Sequence, residues 1–277
     1  MSRLQPQFVA RVVQNARYLP RTISMLEDWF PFTVDYLALG LGHPRPLRSY
    51  SLRGGSTVRL QSPVNTMTLG EIFLRRDYGT LKDNSIVVDV GAHIGLFALY
   101  AATTARNTRV YVYEPMPANM NLLKENITHN RLQDRIIPRQ AALAGARGPR
   151  RFYTHPTDVQ HTLHQSLQHE AGSVIEIDCL SLADVFTEHG LTHCDLLKMD
   201  CEGAEYEALY NTPADFLQRI KAIRMEYHRG VGDNARERST PEALADFLRQ
   251  HGFRITRFED TDSWLGLMWA DRTQAIG

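Results

Sequence analysis

Short apolar runs alternate with helical periodicity from residue 86 onward. Ile86–Val90 is a continuous apolar run rich in β-branched residues, which is typical of a parallel strand buried on both faces. Helical spacing follows at residues 96–105 and, after a second strand at Arg109–Tyr113, at residues 118–130. This alternation predicts an α/β fold with a doubly wound, mostly parallel sheet.

The same alternation continues to the end of the chain. A Gly-Gly pair at residues 54–55 predicts a β-hairpin upstream, between strands at residues 49–53 and 57–61. Thr240 and Pro241 have the residue types of an N-cap and a first helical position. Helices are predicted at residues 182–189 and 241–251, and strands at 136–140, 151–153, 174–177, Leu196–Met199, 222–226, 254–258 and 265–269.

The N-terminal region has a different pattern from the rest of the chain. Apolar residues at near-helical spacing over 7–30 predict two short helices broken at Pro20, and the glycines and prolines of residues 40–46 predict a linker. We therefore expect a helical extension over residues 1–48 and a main domain over residues 49–277. The apolar face of the extension is a candidate homodimer surface.

Composition and charge exclude several classes of protein. The 277 residues carry 31 Lys+Arg and 31 Asp+Glu, and this balance argues against electrostatic coating of nucleic acid. The three cysteines form no CxxC or zinc spacing, which predicts reduced thiols in a cytoplasmic protein. We expect no signal peptide and no membrane span, because the N-terminus lacks an apolar h-region and the apolar run at residues 30–41 is interrupted.

A glycine-containing turn follows the first central strand, in the segment VDVGAHIG at residues 88–95. Glu114 ends the next strand, 23 residues after Gly91, where an acid can hold the two hydroxyls of a ribose. The spacing lacks the GxGxxG of dinucleotide sites. Asp89 could pair with a cationic amine, so the pattern favours S-adenosylmethionine, which has an amine and no phosphate.

Two later strands end in the same sequence pattern. A basic residue is followed by methionine, an acidic residue, any residue and a polar residue. Asp200 and Glu202 share one strand face, as do Glu226 and His228, and adjacent parallel strands would bring all four together. A carboxylate or imidazole there could take the proton of an acceptor hydroxyl. The metal-free base is favoured, and a divalent metal held by the same four residues remains open.

These motifs resemble those of the FkbM family of S-adenosylmethionine-dependent methyltransferases. Residues 88–95 are similar to the family's DVGANIG motif, and Tyr113-Glu114-Pro115 is similar to its second-strand acid. The segment LLKMDCEGAE at residues 196–205 is close to its IKIDVEGAE signature. The resemblance covers about residues 50–270 and leaves the N-terminal helices outside.

The resemblance implies a class I, Rossmann-like methyltransferase fold with seven strands and a reversed C-terminal hairpin. It implies O-methylation of a small-molecule hydroxyl on a sugar, glycolipid or polyketide, with chemistry near Asp200, Glu202 and the strand of Glu226 and His228. The candidate catalytic residues are Asp200, Glu226 and His228. His93 stands where the family usually has Asn. The implied cofactor-binding residues are Asp89, Gly91, His93, Gly95, Glu114, Pro115, Ala142 and Asp200.

Two alternative functions remain at this point. One is an NAD-dependent oxidoreductase of the same sheet class, which the missing GxGxxG disfavours. The other is a non-catalytic protein that keeps the fold, which the four ionisable residues disfavour. Outside these motifs, the histidines of residues 155–169 predict a mobile loop near the acceptor pocket more than a metal site, and Trp264 is expected to lie in the core or an interface.

Overall fold

A seven-stranded sheet organises the chain from residue 86 to residue 272. The computed structural model describes residues 17–154, 161–164, 172–229 and 239–273. The strands of this sheet are β3 Ile86–Val90, β4 Arg109–Tyr113, β5 Ile136–Arg139, β9 Leu196–Met199, β10 Ala222–His228, β11 Phe253–Asp260 and β12 Leu265–Arg272. The sheet order is β11-β12-β10-β9-β3-β4-β5, and β12 runs antiparallel to both of its neighbours while the other pairs are parallel. The predicted doubly wound sheet with a reversed C-terminal hairpin is therefore confirmed.

The chain leaves β3 toward one edge of this sheet and returns on the other side of the same strand. It runs from β3 to β4 and β5, and then re-enters the sheet at β9, which pairs with β3. Open α/β sheets bind ligands at such a reversal, outside the carboxyl ends of the strands. The topology therefore predicts a site above β3, β4, β9 and β10.

Helices cover both faces of the sheet, and alternate strand residues reach separate apolar cores. Val87 packs in one core with Phe97, whereas Val88 packs in the other with Leu197 and Met225. Helix α4, Leu96–Thr104, is buried on all sides over residues 96–102, which explains its nearly continuous apolar sequence. The helices around the sheet are α4 Leu96–Thr104, α5 Pro117–His129, α6 Leu182–Glu188, α7 Glu205–Tyr210, α8 Ala214–Leu217 and α9 Pro241–Gln250.

Two helix starts follow the expected capping chemistry. The Thr240 hydroxyl accepts a hydrogen bond from the backbone of Ala243, and Pro241 opens the helix. Ser181 and Asp184 form a capping box at the start of α6. Helices α7 and α8 were not predicted, because each is too short to show a full apolar period.

The N-terminal part forms α1 at Leu19–Met25 and α2 at Trp29–Gly40. Pro20 lies in the first turn of α1, so it begins this helix, and a break between α1 and α2 falls at residues 26–28. Most of the helix predicted before Pro20 lies outside the described residues. Phe32 lies in the same core as Phe97, which packs the extension on the main sheet. The boundary at residue 48 and a dimer through this region stay predictions.

Several smaller elements complete the description. Strands β1 Tyr50–Ser51 and β2 Thr57–Val58 form the predicted hairpin. A helix not predicted from the sequence, α3 at Asn65–Leu69, continues as a π-helical turn at Gly70–Arg75. A separate sheet has the order β6-β8-β7, from β6 Ala142–Leu143, β7 Gly148–Tyr153 and β8 Val174–Leu180.

Two expectations about the chain as a whole can be compared with this structure. Cys179, Cys194 and Cys201 are free thiols, as expected. Over the ranges that the structure describes, every helix is too short or too polar to cross a bilayer.

Candidate active site

A cavity of about 510 Å³ lies at the carboxyl edge of the central strands, where the topology predicts a ligand. Its volume is within the usual range of about 300–1,000 Å³ for small-molecule sites. One end is formed by residues that follow β3 and β4, and the other by residues at the ends of β9, β10 and β12. Predicted site residues that line the cavity are Gly91, His93, Glu114, Pro115, Ala142, Asp200, Glu202 and Glu226.

The turn after β3 has the conformation that its sequence requires. Gly91, His93 and Gly95 all have positive φ angles, of 69°, 53° and 84°. A Cβ at Gly91 would lie 1.7 Å from the carbonyl oxygen of Asp200. Gly91 is thus required for the close approach of two strand ends, and the same packing places the turn beside Asp200 in the cavity wall.

His93 occupies a backbone position that asparagine adopts readily and β-branched residues do not. We therefore expect His93→Asn to change the free energy of unfolding by less than about 0.5 kcal/mol, whereas His93→Val should lose about 1–2 kcal/mol. Urea denaturation of the two variants measures this difference. Equal losses in both would show that the backbone angle is not what selects the residue.

Glu114 is held rigidly at the end of β4. Its carboxylate accepts hydrogen bonds from the backbone of His93 at 2.8 Å and of Met116 at 2.9 Å, and from the amide of Asn119 at 3.3 Å. Burial raises the pKa of Glu114, although His93 and these donors oppose the shift. The side chain is fixed before any ligand binds, and it joins the turn after β3 to the start of α5.

Asp89 and Lys198 form a buried ion pair between β3 and β9. Lys198 Nζ lies 3.3 Å from Asp89 Oδ1 and 3.8 Å from Asp200 Oδ2, and it donates a 2.8 Å hydrogen bond to the Gly91 carbonyl. Burial raises the pKa of Asp89 despite Lys198. Lys198 lines the cavity and the fully buried Asp89 does not, so direct contact between Asp89 and a cofactor amine stays a prediction.

The four ionisable residues predicted to converge do lie together. Strands β9 and β10 are parallel neighbours, which brings their ends side by side. His228 Nε2 lies 3.2 Å from Glu202 Oε2 and 3.7 Å from Glu226 Oε1. The three carboxylates line the cavity, whereas His228 is completely buried behind them. His228 is therefore placed to orient or neutralise the carboxylates more than to touch a substrate.

Glu205 is a site residue that the sequence analysis did not single out. It is fully buried at the start of α7, and its carboxylate oxygen accepts hydrogen bonds from the backbone N–H of His228 at 2.8 Å and from Nδ1 of the same residue at 3.0 Å. The other oxygen accepts from the Gly203 backbone at 2.9 Å. The sequence could have indicated Glu205, because it is the last residue of the LLKMDCEGAE segment that resembles the family signature.

The surroundings of this cluster favour protonation of both His228 and Glu226, because the pKa of each is raised. Burial alone would lower the pKa of His228, but the carboxylates of Glu205 and Glu202 raise it well above its ordinary value. Burial raises the pKa of Glu226 strongly, and Asp200 adds to that shift. Tyr78 donates a 3.1 Å hydrogen bond to Asp200, the remaining carboxylate of this edge.

The sequence also predicts the places of Trp264 and of the histidines of residues 155–169. Trp264 is partly exposed and lines the cavity at the β11–β12 turn, with its ring centroid 5.7 Å from that of His228. It therefore lies outside the core, and the alternative place in an interface stays a prediction. His161 also lines the cavity. His161 and His164 form no three-residue ligand group within the part of the chain that the structure describes, while His155 and His169 lie outside it.

The sheet order, the reversed β12 and the cavity above β3 define a class I, Rossmann-like methyltransferase fold. Comparison with known families gives the more specific assignment. The Methyltransferase FkbM domain matches residues 89–255, which is more than half of the chain. The protein belongs to the FkbM methyltransferase family.

Individual proteins that this chain resembles share less than a third of its sequence over the aligned residues. The 31-O-demethyl-FK506 methyltransferase FkbM of Streptomyces tacrolimicus is 29% identical over 224 residues, which cover 69% of this chain and 82% of that protein. The AMB antimetabolite synthetase AmbE of Pseudomonas aeruginosa is 27% identical over 223 residues, which are 67% of this chain but only 10% of that protein. The structure of M. capricolum TrmK in complex with S-adenosyl-homocysteine has a TM-score of 0.42 and 11% identity, covering 72% of this chain and 67% of that chain.

Proposed function

We propose that this protein is an S-adenosylmethionine-dependent O-methyltransferase. One observation supports this most directly: a single cavity connects the fixed carboxylate of Glu114 with the carboxylates of Asp200, Glu202 and Glu226. The first end has the chemistry to bind a ribose, and the second has the chemistry to receive a proton. A methyl transfer to a hydroxyl needs a bound cofactor and a proton acceptor, with the acceptor hydroxyl in line with the methyl group.

At the cofactor end, Glu114 would bind the two ribose hydroxyls and the turn at Gly91–Gly95 would bind the methionine portion. The bound cofactor would supply an electrophilic methyl group on a sulfonium. Because Glu114 is already immobilised by three donors, little conformational entropy is lost on binding. Pro115, Ala142 and Asn119 also line this end of the cavity, where they would contact the nucleoside.

At the acceptor end, the hydroxyl would face Asp200 and Glu226. The acceptor C–O bond forms while the sulfonium C–S bond breaks, and the hydroxyl proton passes to a carboxylate. Asp200 and Glu226 are placed for that role because they line the cavity. His228 is fully buried, so we assign it to holding these carboxylates in position.

The acceptor that we propose is a hydroxyl of a polyketide, sugar or glycolipid. The relative from Streptomyces tacrolimicus is named for a demethylated FK506 hydroxyl, which supports this class of acceptor. Trp264 and the apolar residues Leu265 and Leu267 line the cavity near the carboxylates and suit an acceptor with an apolar face.

Calorimetry with S-adenosylhomocysteine tests the cofactor assignment. We expect one binding site per chain, and a parallel titration with NADH should show no binding because the turn lacks GxGxxG. Binding of NADH without S-adenosylhomocysteine would instead support the oxidoreductase alternative. Turnover is then assayed with S-adenosylmethionine labelled in its methyl group and with 31-O-demethyl-FK506 as the first acceptor. The labelled methyl group should be found in a methyl ether of the acceptor.

A further inference from the structure

We propose that Asp200, Glu226 and His228 form a binding site for one divalent transition-metal ion. The site lies at the carboxyl ends of β9 and β10, at the acceptor end of the cavity. One ligand atom of each residue lies within 4.8 Å of the other two. The ion's binding follows from these residues alone, whereas its use in catalysis rests on the proposed function.

The orientation of His228 is the first argument. Its Nδ1 faces Glu205, which leaves Nε2 directed at Glu202 and Glu226. Nε2 is buried, and among the described residues its nearest polar neighbour is the Glu202 carboxylate at 3.2 Å. A neutral ring with its proton on Nδ1 would point a lone pair at carboxylate oxygens, so Nε2 has to hold either a proton or a metal ion at this position.

The support behind His228 is typical of a metal ligand. Metal-binding histidines usually donate their second ring N–H to a carboxylate or carbonyl, which fixes the tautomer and the ring. Glu205 provides that partner at 3.0 Å and is itself fixed by the backbone of Gly203. Because Glu205 is completely buried and its other contacts are satisfied, it orients His228 and does not reach the cavity.

Charge is the second argument. Asp200, Glu202, Glu226 and Glu205 bring four carboxylates to one edge, against the ammonium group of Lys198, which lies 3.8 Å from Asp200. Lys198 already neutralises the buried Asp89. Carboxylates packed this closely need protons or a cation to offset their repulsion, and an ion bound by Asp200 and Glu226 would neutralise both of these carboxylates.

The ligand set indicates the kind of ion. One imidazole and two carboxylates form a mixed nitrogen and oxygen set, which suits Mn²⁺, Fe²⁺ or Zn²⁺ better than the all-oxygen preference of Mg²⁺. Metal–ligand bonds of about 2.0–2.2 Å place opposite ligand atoms about 4.0–4.4 Å apart. The three ligand atoms lie within 4.8 Å of one another, and Nε2 of His228 lies 3.7 Å from Glu226 Oε1, so only a small movement of the partly exposed Asp200 and Glu226 would be needed.

Within the proposed reaction, the ion would bind and orient the acceptor hydroxyl and lower its pKa. Glu202 lines the same cavity and is not needed as a ligand, so its carboxylate could then receive the proton. In this arrangement Glu202 would replace Asp200 and Glu226 as the proton acceptor, because both of those carboxylates would then bind the ion.

The test is a titration of the full chain, stripped of metal with a chelator, with Mn²⁺ alone and without cofactor. Electron paramagnetic resonance of free Mn²⁺ should show one bound ion per chain. Glu226→Gln should weaken binding by at least about tenfold, and Glu205→Gln by about 10–100-fold through loss of ring orientation. Glu125→Gln, at an exposed position on α5, should bind as the wild type does.

Two results would overturn this proposal: no Mn²⁺ bound by the wild-type chain, or equal Mn²⁺ affinity in wild type and Glu226→Gln. The Glu226 carboxylate is partly exposed, so this variant should fold even if Glu205→Gln does not, and thermal melting checks both. Calorimetry with S-adenosylhomocysteine in the presence of chelator separates the two ideas. Cofactor binding without Mn²⁺ binding would reject the metal site and leave the proposed methyltransferase function standing.

Discussion

Replacing Glu114 by glutamine is expected to weaken S-adenosylhomocysteine binding by about 3 kcal/mol or more, which is over a hundredfold in Kd. The proposed role gives Glu114 two hydrogen bonds from ribose hydroxyls to a charged acceptor, and each such bond contributes about 1.5–3 kcal/mol. Glutamine keeps the shape of the side chain but loses the charge and one acceptor. The carboxylate lies in the cavity wall, so this loss falls directly on the ligand.

The control for this variant has to separate ligand contact from local structure. Glu114 also accepts backbone hydrogen bonds from His93 and Met116, so its loss could disturb the turn. Thermal melting therefore accompanies the calorimetry, and Glu125→Gln serves as an exposed carboxylate change nearby on α5. A Glu114→Gln protein that melts normally and binds with wild-type Kd would reject the ribose assignment.

The sheet and the convergence of the acids could be predicted because both depend on local patterns. Strand β3 has a continuous apolar run, and β9 and β10 end in the same acid-x-polar arrangement. Carboxyl ends of adjacent parallel strands meet at one edge, so their proximity follows once the fold is known. The structure confirms this neighbourhood, with His228 3.2 Å from Glu202.

Burial within the site could not be predicted in the same way, because it depends on distant segments. The carboxylate that fixes His228 comes from α7, 23 positions earlier in the chain, and the charge that neutralises Asp89 comes from β9. Strand periodicity assigns Lys198 to a face but does not say which acid it meets. Trp264 reaches the cavity only because the β11–β12 turn lies over the end of β10.

The N-terminal helices show the same limit on prediction. Pro31 interrupts the apolar run at residues 30–41, yet it lies in the first turn of α2, where proline is tolerated. Asp35 looks like a polar interruption, but it is buried and forms ion pairs with Arg45 at 3.1 Å and Arg48 at 2.8 Å. Both arginines lie beyond the end of α2, so helical periodicity alone could not predict that Asp35 is buried.

Lys198→Met is expected to destabilise the protein by about 3–5 kcal/mol, which is the typical effect of leaving a buried charge without its partner. Asp89 is completely buried, and Lys198 Nζ is the cation 3.3 Å from its carboxylate. Methionine fills a similar volume, so a cavity contributes little to the loss. The variant also removes the hydrogen bond to the Gly91 carbonyl, so the turn after β3 loses support. The free energy of unfolding in urea measures the effect.

The double variant Asp89→Asn with Lys198→Met decides whether charge is the cause. If the unpaired Asp89 carboxylate is responsible, neutralising it should restore a large part of the lost stability, so the double variant should be more stable than Lys198→Met alone. The single variant Asp89→Asn leaves Lys198 with Asp200 at 3.8 Å and should therefore lose less than Lys198→Met does. Additive losses in the double variant would mean that Lys198 stabilises the fold through packing and its bond to Gly91, and that the pairing with Asp89 contributes little.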